Sequence, residues 1–357
     1  MARPPTTLAD DESRASGIAP VGATDARRAL VVSLVTLFVA MLLCELGFRA
    51  STIGHRLAVE NIYTVKANAY SHSAGYEVAI IGDSRIMHGV DPRVVEHALQ
   101  ELLGRPVSVW NAGLSGAPPM AHLAWVERIL SHPNPPRLVV LSISPNQFST
   151  LLADPPARES LTAMYRLRDV PDALLAGAPV EDLATITTVN LLSTVRYRAR
   201  VLDLLLRGQG LRGEVNSGIQ GFGPLGAVTA DVQDARARHR LIGYQWEMDR
   251  RVASFGNEQM GYFLLCLKRL HDAHIRTIVM NSPAASQLDP ALGPMSFYRQ
   301  HIAFVQREAR AYGDQYVDAL HSPVLTDGDF TDGDHMSSPA AARFSDWLAR
   351  TYLARAL

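Results

Sequence analysis

The hydrophobic and polar positions divide the chain into one unbroken apolar run near the N-terminus and a long series of short alternating elements. The run Ala29–Cys44 (ALVVSLVTLFVAMLLC) carries no charge, and its apolar trend continues past Glu45 to Phe48. About twenty helical residues rising about 1.5 Å each cover the roughly 30 Å hydrocarbon core of a bilayer. Residues 29–48 are therefore expected to form a transmembrane anchor. Arg27 and Arg28 precede it and favour a cytoplasmic N-terminus, while Arg49 and Arg56 on the other side weaken that signal. A cleaved signal peptide is the competing reading, but it calls for a shorter run and a clear small-x-small cleavage site. Leu43 before Cys44 argues against a lipoprotein site. Residues 1–28, rich in Pro, Ala, Ser and acidic side chains without periodicity, are expected to be a disordered tail. Residues 49–75 are expected to be a stalk.

Beyond the stalk, strand-like and helix-like segments alternate. Tyr76–Ile81, Val107–Trp110, Arg137–Ile143, Thr277–Asn281 and Tyr316–Leu320 read as buried strands. Between them Asp91–Leu103 reads as a helix with Asp91 as N-cap and Pro92 at its first position. Further helices are expected near 120–130, 258–273, 297–312 and 340–356. This order predicts an α/β domain over residues 76–357 with a doubly wound, mainly parallel sheet. No strand is evident over about 150–256, which reads as a mostly helical insertion containing a Gly-rich patch, Ser217–Gly226.

Composition narrows the function classes. Thirty-four basic against 35 acidic residues leave a net charge of −1, which provides no footprint for nucleic acid. With 47% hydrophobic residues the chain can bury a core, and two cysteines, Cys44 and Cys266, cannot make a disulfide scaffold. No phosphate-binding or dinucleotide glycine motif is present, so no cofactor is expected.

In an open parallel sheet, ligands bind beyond the carboxyl ends of the strands. There the chain places Asp83 and Ser84, then Asn111, Gly113, Ser115 and Gly116, then Ser144 and Asn146, and finally Asp332 and His335. These supply a hydroxyl nucleophile, neutral donors and an acid–imidazole pair. The stretches IIGDSRIMHGVDP, NAGLSGA, SPNQF and DGDH resemble, in order, the four sequence blocks of the SGNH (GDSL-like) hydrolase superfamily. The resemblance spans about residues 76–149 and 257–357 and leaves the insertion unmatched. It implies a flavodoxin-like three-layer sandwich. It also implies Ser84 as nucleophile, His335 as general base and Asp332 as the residue orienting the imidazole. The oxyanion hole implied is the Ser84 N–H, the Gly116 N–H and the Asn146 side-chain amide. Gly113 rivals Gly116 for the second-block glycine. Asp318–His321 rivals Asp332–His335, although i and i+3 on a strand face opposite ways. Asp334 is the fallback orienting acid.

Three departures from the family pattern stand out: Arg85, Pro145 and Gln147 replace the usual Leu, Gly and Asp. They resemble membrane-anchored members that act in cell-envelope polysaccharide acylation. The resemblance implies an extracytoplasmic acyl-ester enzyme, with a multi-span acyltransferase as partner if it transfers acyl groups. An ordinary esterase or lipase, and an inactive polysaccharide-binding subunit, are the alternatives. Arg85 and Asn111 are candidate substrate contacts, with Arg85 equally able to pair with a nearby carboxylate. His88 reads as a surface residue. The carboxylates of DGDFTDGD lack the spacing and closing Glu of a calcium loop, so no metal site is expected.

Overall fold

The computed structural model describes residues 23–51, 62–148, 163–197, 219–251, 258–292 and 296–357. Contacts divide the chain into two units, Met1–Ala50 and Ser51–Leu357. The first unit contains one described element, helix α1 (Ala23–Ala50), within which Ala26–Ala50 is long and apolar enough to cross a membrane. Leu30, Val31, Leu34, Val35, Leu37 and Phe38 on it are exposed. The helix begins six residues ahead of the expected anchor, so the last part of the expected disordered tail is helical. The rest of that tail lies outside the described residues.

The second unit is built on a five-stranded, all-parallel sheet: β1 (Val78–Ile81), β2 (Val109–Asn111), β3 (Leu138–Ser142), β4 (Arg276–Asn281) and β5 (Gln315–Asp318). Their order is β2-β1-β3-β4-β5. The register pairs Ile80 with Asn111 on one side and Ile81 with Leu141 on the other, so β1 is central to the early half. Continuously apolar strands belong in such a sheet, because helices cover both faces. Val78, Ile80, Val140 and Met280 face one core, shared with helices α4 (Pro92–Leu103) and α10 (Ser338–Leu348). Ala79, Ile81, Leu141 and Val279 face the other, shared with α5 (Pro119–Leu130), α8 (Glu258–Asp272) and α9 (Ser296–Ala311). The strand order reverses between β1 and β3, and open α/β sheets bind ligands outside the strand ends at such a switch point.

One further expectation changes. Part of the expected stalk is helix α2 (Ile62–Ser71), which buries Tyr63, Lys66, Ala67 and Tyr70 against the domain. Tyr70 packs on Tyr76, Trp110 and Trp125, and burial of aromatic surface on this scale holds α2 to the sheet. The insertion contains helices among its described residues, including α6 (Val180–Leu191) and α7 (Ala230–Arg251). Residues 149–162, 198–218 and 252–257 lie outside the described residues.

Candidate active site

Strand β1 ends at Ile81, and the chain turns through Gly82 and Asp83 into the short helix α3 (Ser84–Gly89). The Asp83 carboxylate caps that helix by accepting the Arg85 N–H at 2.9 Å. It also takes the Arg85 guanidinium at 2.7 Å, and Ser144, two residues past β3, completes the cluster by accepting from Arg85. Asp83 and Arg85 are both buried, and the Arg85 charge holds the Asp83 carboxyl below its usual range against the opposing effect of burial. Truncating Arg85 would strand a buried carboxylate, at a cost of about 3–5 kcal/mol. Arg85 is 1% exposed, so it is an internal partner of Asp83 rather than the substrate contact considered from the sequence. This arrangement fixes Ser84, half-buried, at the start of α3.

His335 reaches Ser84 from the loop before α10. Its Nε2 lies 2.7 Å from the Ser84 Oγ, and its Nδ1 lies 2.8 Å from Asp332 Oδ2. A tight turn sets this geometry: the His335 N–H donates to Asp332 Oδ1 at 3.0 Å, and the Thr331 N–H donates to the His335 carbonyl at 2.7 Å. Spacing of three residues thus puts acid and imidazole together because the backbone between them is folded back, not extended. The rival pair is separated. Asp318 accepts from Asn281 at 3.0 Å, while His321 is half-exposed and faces Asp289 at 3.3 Å.

Three further residues complete the charge balance around His335. Asp334 Oδ1 lies 3.1 Å from Nδ1, so the fallback acid shares the imidazole with Asp332. Arg240 of α7 donates to Asp334 at 3.1 Å and reaches Asp332 at 3.4 Å, and Tyr244 donates to the other Asp334 oxygen. Arg240 Nη2 also stands 3.1 Å from Nδ1. Nδ1 cannot both give a proton to the Asp332 carboxylate and accept one from the guanidinium, which only donates. Nδ1 carries its proton toward Asp332, and the guanidinium serves the carboxylates. Burial alone would disfavour the imidazolium, but hydrogen bonds and charge from Asp332 and Asp334 prevail and raise the His335 pKa to about 9.

The second loop closes the other side. Asn111 is fully buried, and its amide donates to the carbonyls of Ile86 and Val90 at 2.8 and 2.7 Å while its oxygen takes the Gly113 N–H. It ties α3 to β2 and is not the substrate contact considered from the sequence. A Cβ at Gly113 would stand 2.4 Å from the Met87 nitrogen, so that glycine serves close packing. Gly116 has a φ of 64°, a left-handed conformation suited to glycine. Asn146 lies in the turn Pro145–Phe148, with its side chain outside the described residues.

Sequence reading missed Arg240, Tyr244 and Lys66. Lys66 of α2, fully buried, donates to the Gly113 carbonyl, and burial lowers its pKa to about 7. The Gly-rich patch also arrives here, since the Gly223 N–H donates to Met87 O at 3.0 Å and its carbonyl meets His88. His88 stands edge-on to His335 with ring centres 5.5 Å apart. No motif marks these residues; only the fold brings them to the site.

Asp332, Asp334 and His335 also present three potential metal ligands within 4.8 Å of one another. The Arg240 guanidinium already lies against both carboxylates, and His335 turns its second nitrogen to Ser84. The cation of this cluster is an arginine. Compared with known proteins, the chain matches no family model and no curated relative.

Proposed function

We propose that the protein is a serine-dependent acyl-ester enzyme of the SGNH type. The reading rests on one observation, the continuous chain from Ser84 Oγ through His335 to Asp332 at 2.7 and 2.8 Å. A serine hydroxyl is a weak nucleophile until a neighbouring base takes its proton. In this reading Ser84 Oγ attacks the ester carbonyl as His335 Nε2 accepts its proton. The tetrahedral oxyanion is held by the N–H groups of Ser84 and Gly116 and by the Asn146 amide, each donor contributing about 3–4 kcal/mol. Collapse expels the alcohol, which takes the proton from His335, and leaves the acyl group on Ser84. Water or a sugar hydroxyl then gives its proton to His335 and attacks the acyl carbonyl; the bond to Ser84 breaks, the acid or new ester leaves, and Ser84 Oγ takes the proton back from His335.

The apolar helix α1 supports an anchored protein whose domain lies outside the cytoplasm, on the periplasmic side in a two-membrane bacterium. A cell-envelope polysaccharide is the substrate class this placement favours, as acceptor or as ester. A single span cannot carry an activated acyl donor through a bilayer. Transfer therefore requires a multi-span partner, whereas hydrolysis requires none.

Turnover of a chromogenic acetyl ester by the full-length protein tests the reading. Wild type is expected to exceed Ser84→Ala by at least about a thousandfold. Equal rates would leave a non-catalytic binding subunit as the better account. Acetyl gain or loss on an added oligosaccharide, followed by mass spectrometry, separates transferase from esterase.

A further inference from the structure

Away from Ser84, α2, α5 and the insertion line an open cavity of about 460 Å³. Four arginines line it: Arg128 from α5, Arg166 and Arg168 from the segment around the turn Leu167–Asp169, and Arg196 from the short helix Ser193–Arg196. Asn68 and Asn190 add neutral amides, and no carboxylate lines this cavity among the described residues. Among the described residues, two acids stand at its border, where Arg128, Arg166 and Arg168 also line the adjoining cavity. Asp169 stands 3.5 Å from Arg168 and accepts the Arg166 N–H, and Glu127 of the adjoining cavity stands 3.1 Å from Arg269.

The arginines are only partly satisfied. Arg128 donates through Nη1 to Ser71 at 3.0 Å, and Arg196 donates through Nη2 to Asn190 at 3.1 Å. The Nε atoms of both are buried and have no hydrogen-bond partner. Burial, reinforced by the charges of Arg166 and Arg168, lowers the Arg128 pKa to about 10. Asp169 offsets only part of the charge of these converging guanidinium groups, which repel one another, and buried N–H groups without acceptors cost about 1–3 kcal/mol each. An oxyanion relieves both. The guanidinium fork matches carboxylate and phosphate oxygens in bidentate fashion. A single carboxylate supplies one charge and two oxygens to four cations, whereas a phosphate group supplies more of each.

We propose that this cavity binds a phosphate group, carried either by a small soluble ester or by a lipid headgroup. The site is separate from the Ser84 centre, and its occupation does not depend on the function proposed above.

Thermal unfolding of the full-length protein in a neutral detergent tests this. The probes are inorganic phosphate, glycerol 1-phosphate and short-chain phosphatidylglycerol, each against chloride at matched ionic strength. At about a hundredfold excess over the dissociation constant, binding raises Tm by roughly 4–8 °C. Response to the soluble phosphates identifies a soluble ligand, and response to the lipid alone identifies a headgroup. The pair Arg128→Gln and Arg196→Gln abolishes the shift. Arg166→Gln, at an exposed position that folding tolerates, reduces it. Without ligand, Arg166→Gln unfolds no lower than wild type, because a repelling charge has gone. Ester turnover is unchanged in all three variants. A shift that chloride reproduces, that is absent with all three probes, or that survives intact in the variants overturns the proposal.

Discussion

Two stretches of this chain carry the same spacing, Asp318–His321 and Asp332–His335, and only the second makes an acid–imidazole pair. In the first, Asp318 closes strand β5 and its carboxylate is taken by the Asn281 amide and the Leu320 N–H. His321 is left at the surface beside Asp289. In the second, the Asp332 carboxylate accepts the backbone N–H of His335, and that fold-back delivers the side chains to each other. The spacing is identical; the difference lies in the turn and in what surrounds it. Asp334, Arg240 and Tyr244 then enclose the second pair, whereas among the described residues His321 meets only the Asp289 carboxylate as an ion-pair partner.

The sharpest way to break this comparison is to remove each histidine. His335→Ala is expected to lower kcat/KM for an acetyl ester by about 10⁴–10⁶-fold, while His321→Ala stays within about twofold. Comparable losses would mean that the fold-back is not what makes the base. Next in size are the acids. Asp332→Asn keeps the turn's shape but disfavours the required tautomer, and a loss of about 10⁴ is expected in kcat. Asp334→Asn should lose far less, since Asp332 keeps the shorter contact to Nδ1; steady-state rates of the two variants decide this.

A smaller effect lies in the pH profile. With a pKa near 9, His335 rests as imidazolium at neutral pH and becomes a base as pH rises. Ester turnover should therefore climb with pH through about 9 and level off above it. Asp334→Asn, by removing one source of the upward shift, should move that limb to lower pH. The same pKa bears on stability with a definite sign. The folded value lies above the unfolded reference of about 6.5, so the stabilisation is complete below about pH 6.5 and is lost as pH rises through about 9. Urea midpoints for wild type and His335→Gln across this range should converge on the alkaline side. The smallest effect belongs to the silent pair: Asp318→Ala should cost about 1 kcal/mol of unfolding free energy and leave turnover unchanged.

Strand and helix positions were largely legible because buried parallel strands are continuously apolar and the helices between them are capped and periodic. Each expected strand lies within about three residues of an observed one at its ends. The parts missed share a physical cause. Helix α2 mixes Tyr and Ala with Lys66, and nothing in that composition says that its lysine is buried against a loop carbonyl. Arg85 and Asn111 were read by chemistry alone, whereas their burial and their hydrogen bonds depend on neighbours at other strand ends. Arg240 stands more than ninety positions from His335 in the chain, inside a helix that looks like any solvated charged helix. Ser84, His335 and Asp332 were legible because each follows a strand or precedes a helix in a fixed place.

The central claim is that Ser84 carries the acyl group. Rapid mixing of full-length protein with an activated acetyl ester, acid quench and peptide mass mapping tests it most directly. The expected result is a single added acetyl group on the peptide containing Ser84, absent from Ser84→Ala and accumulating more slowly in His335→Ala. Ester turnover in wild type with no acetyl on that peptide, or equal labelling in Ser84→Ala, would contradict it.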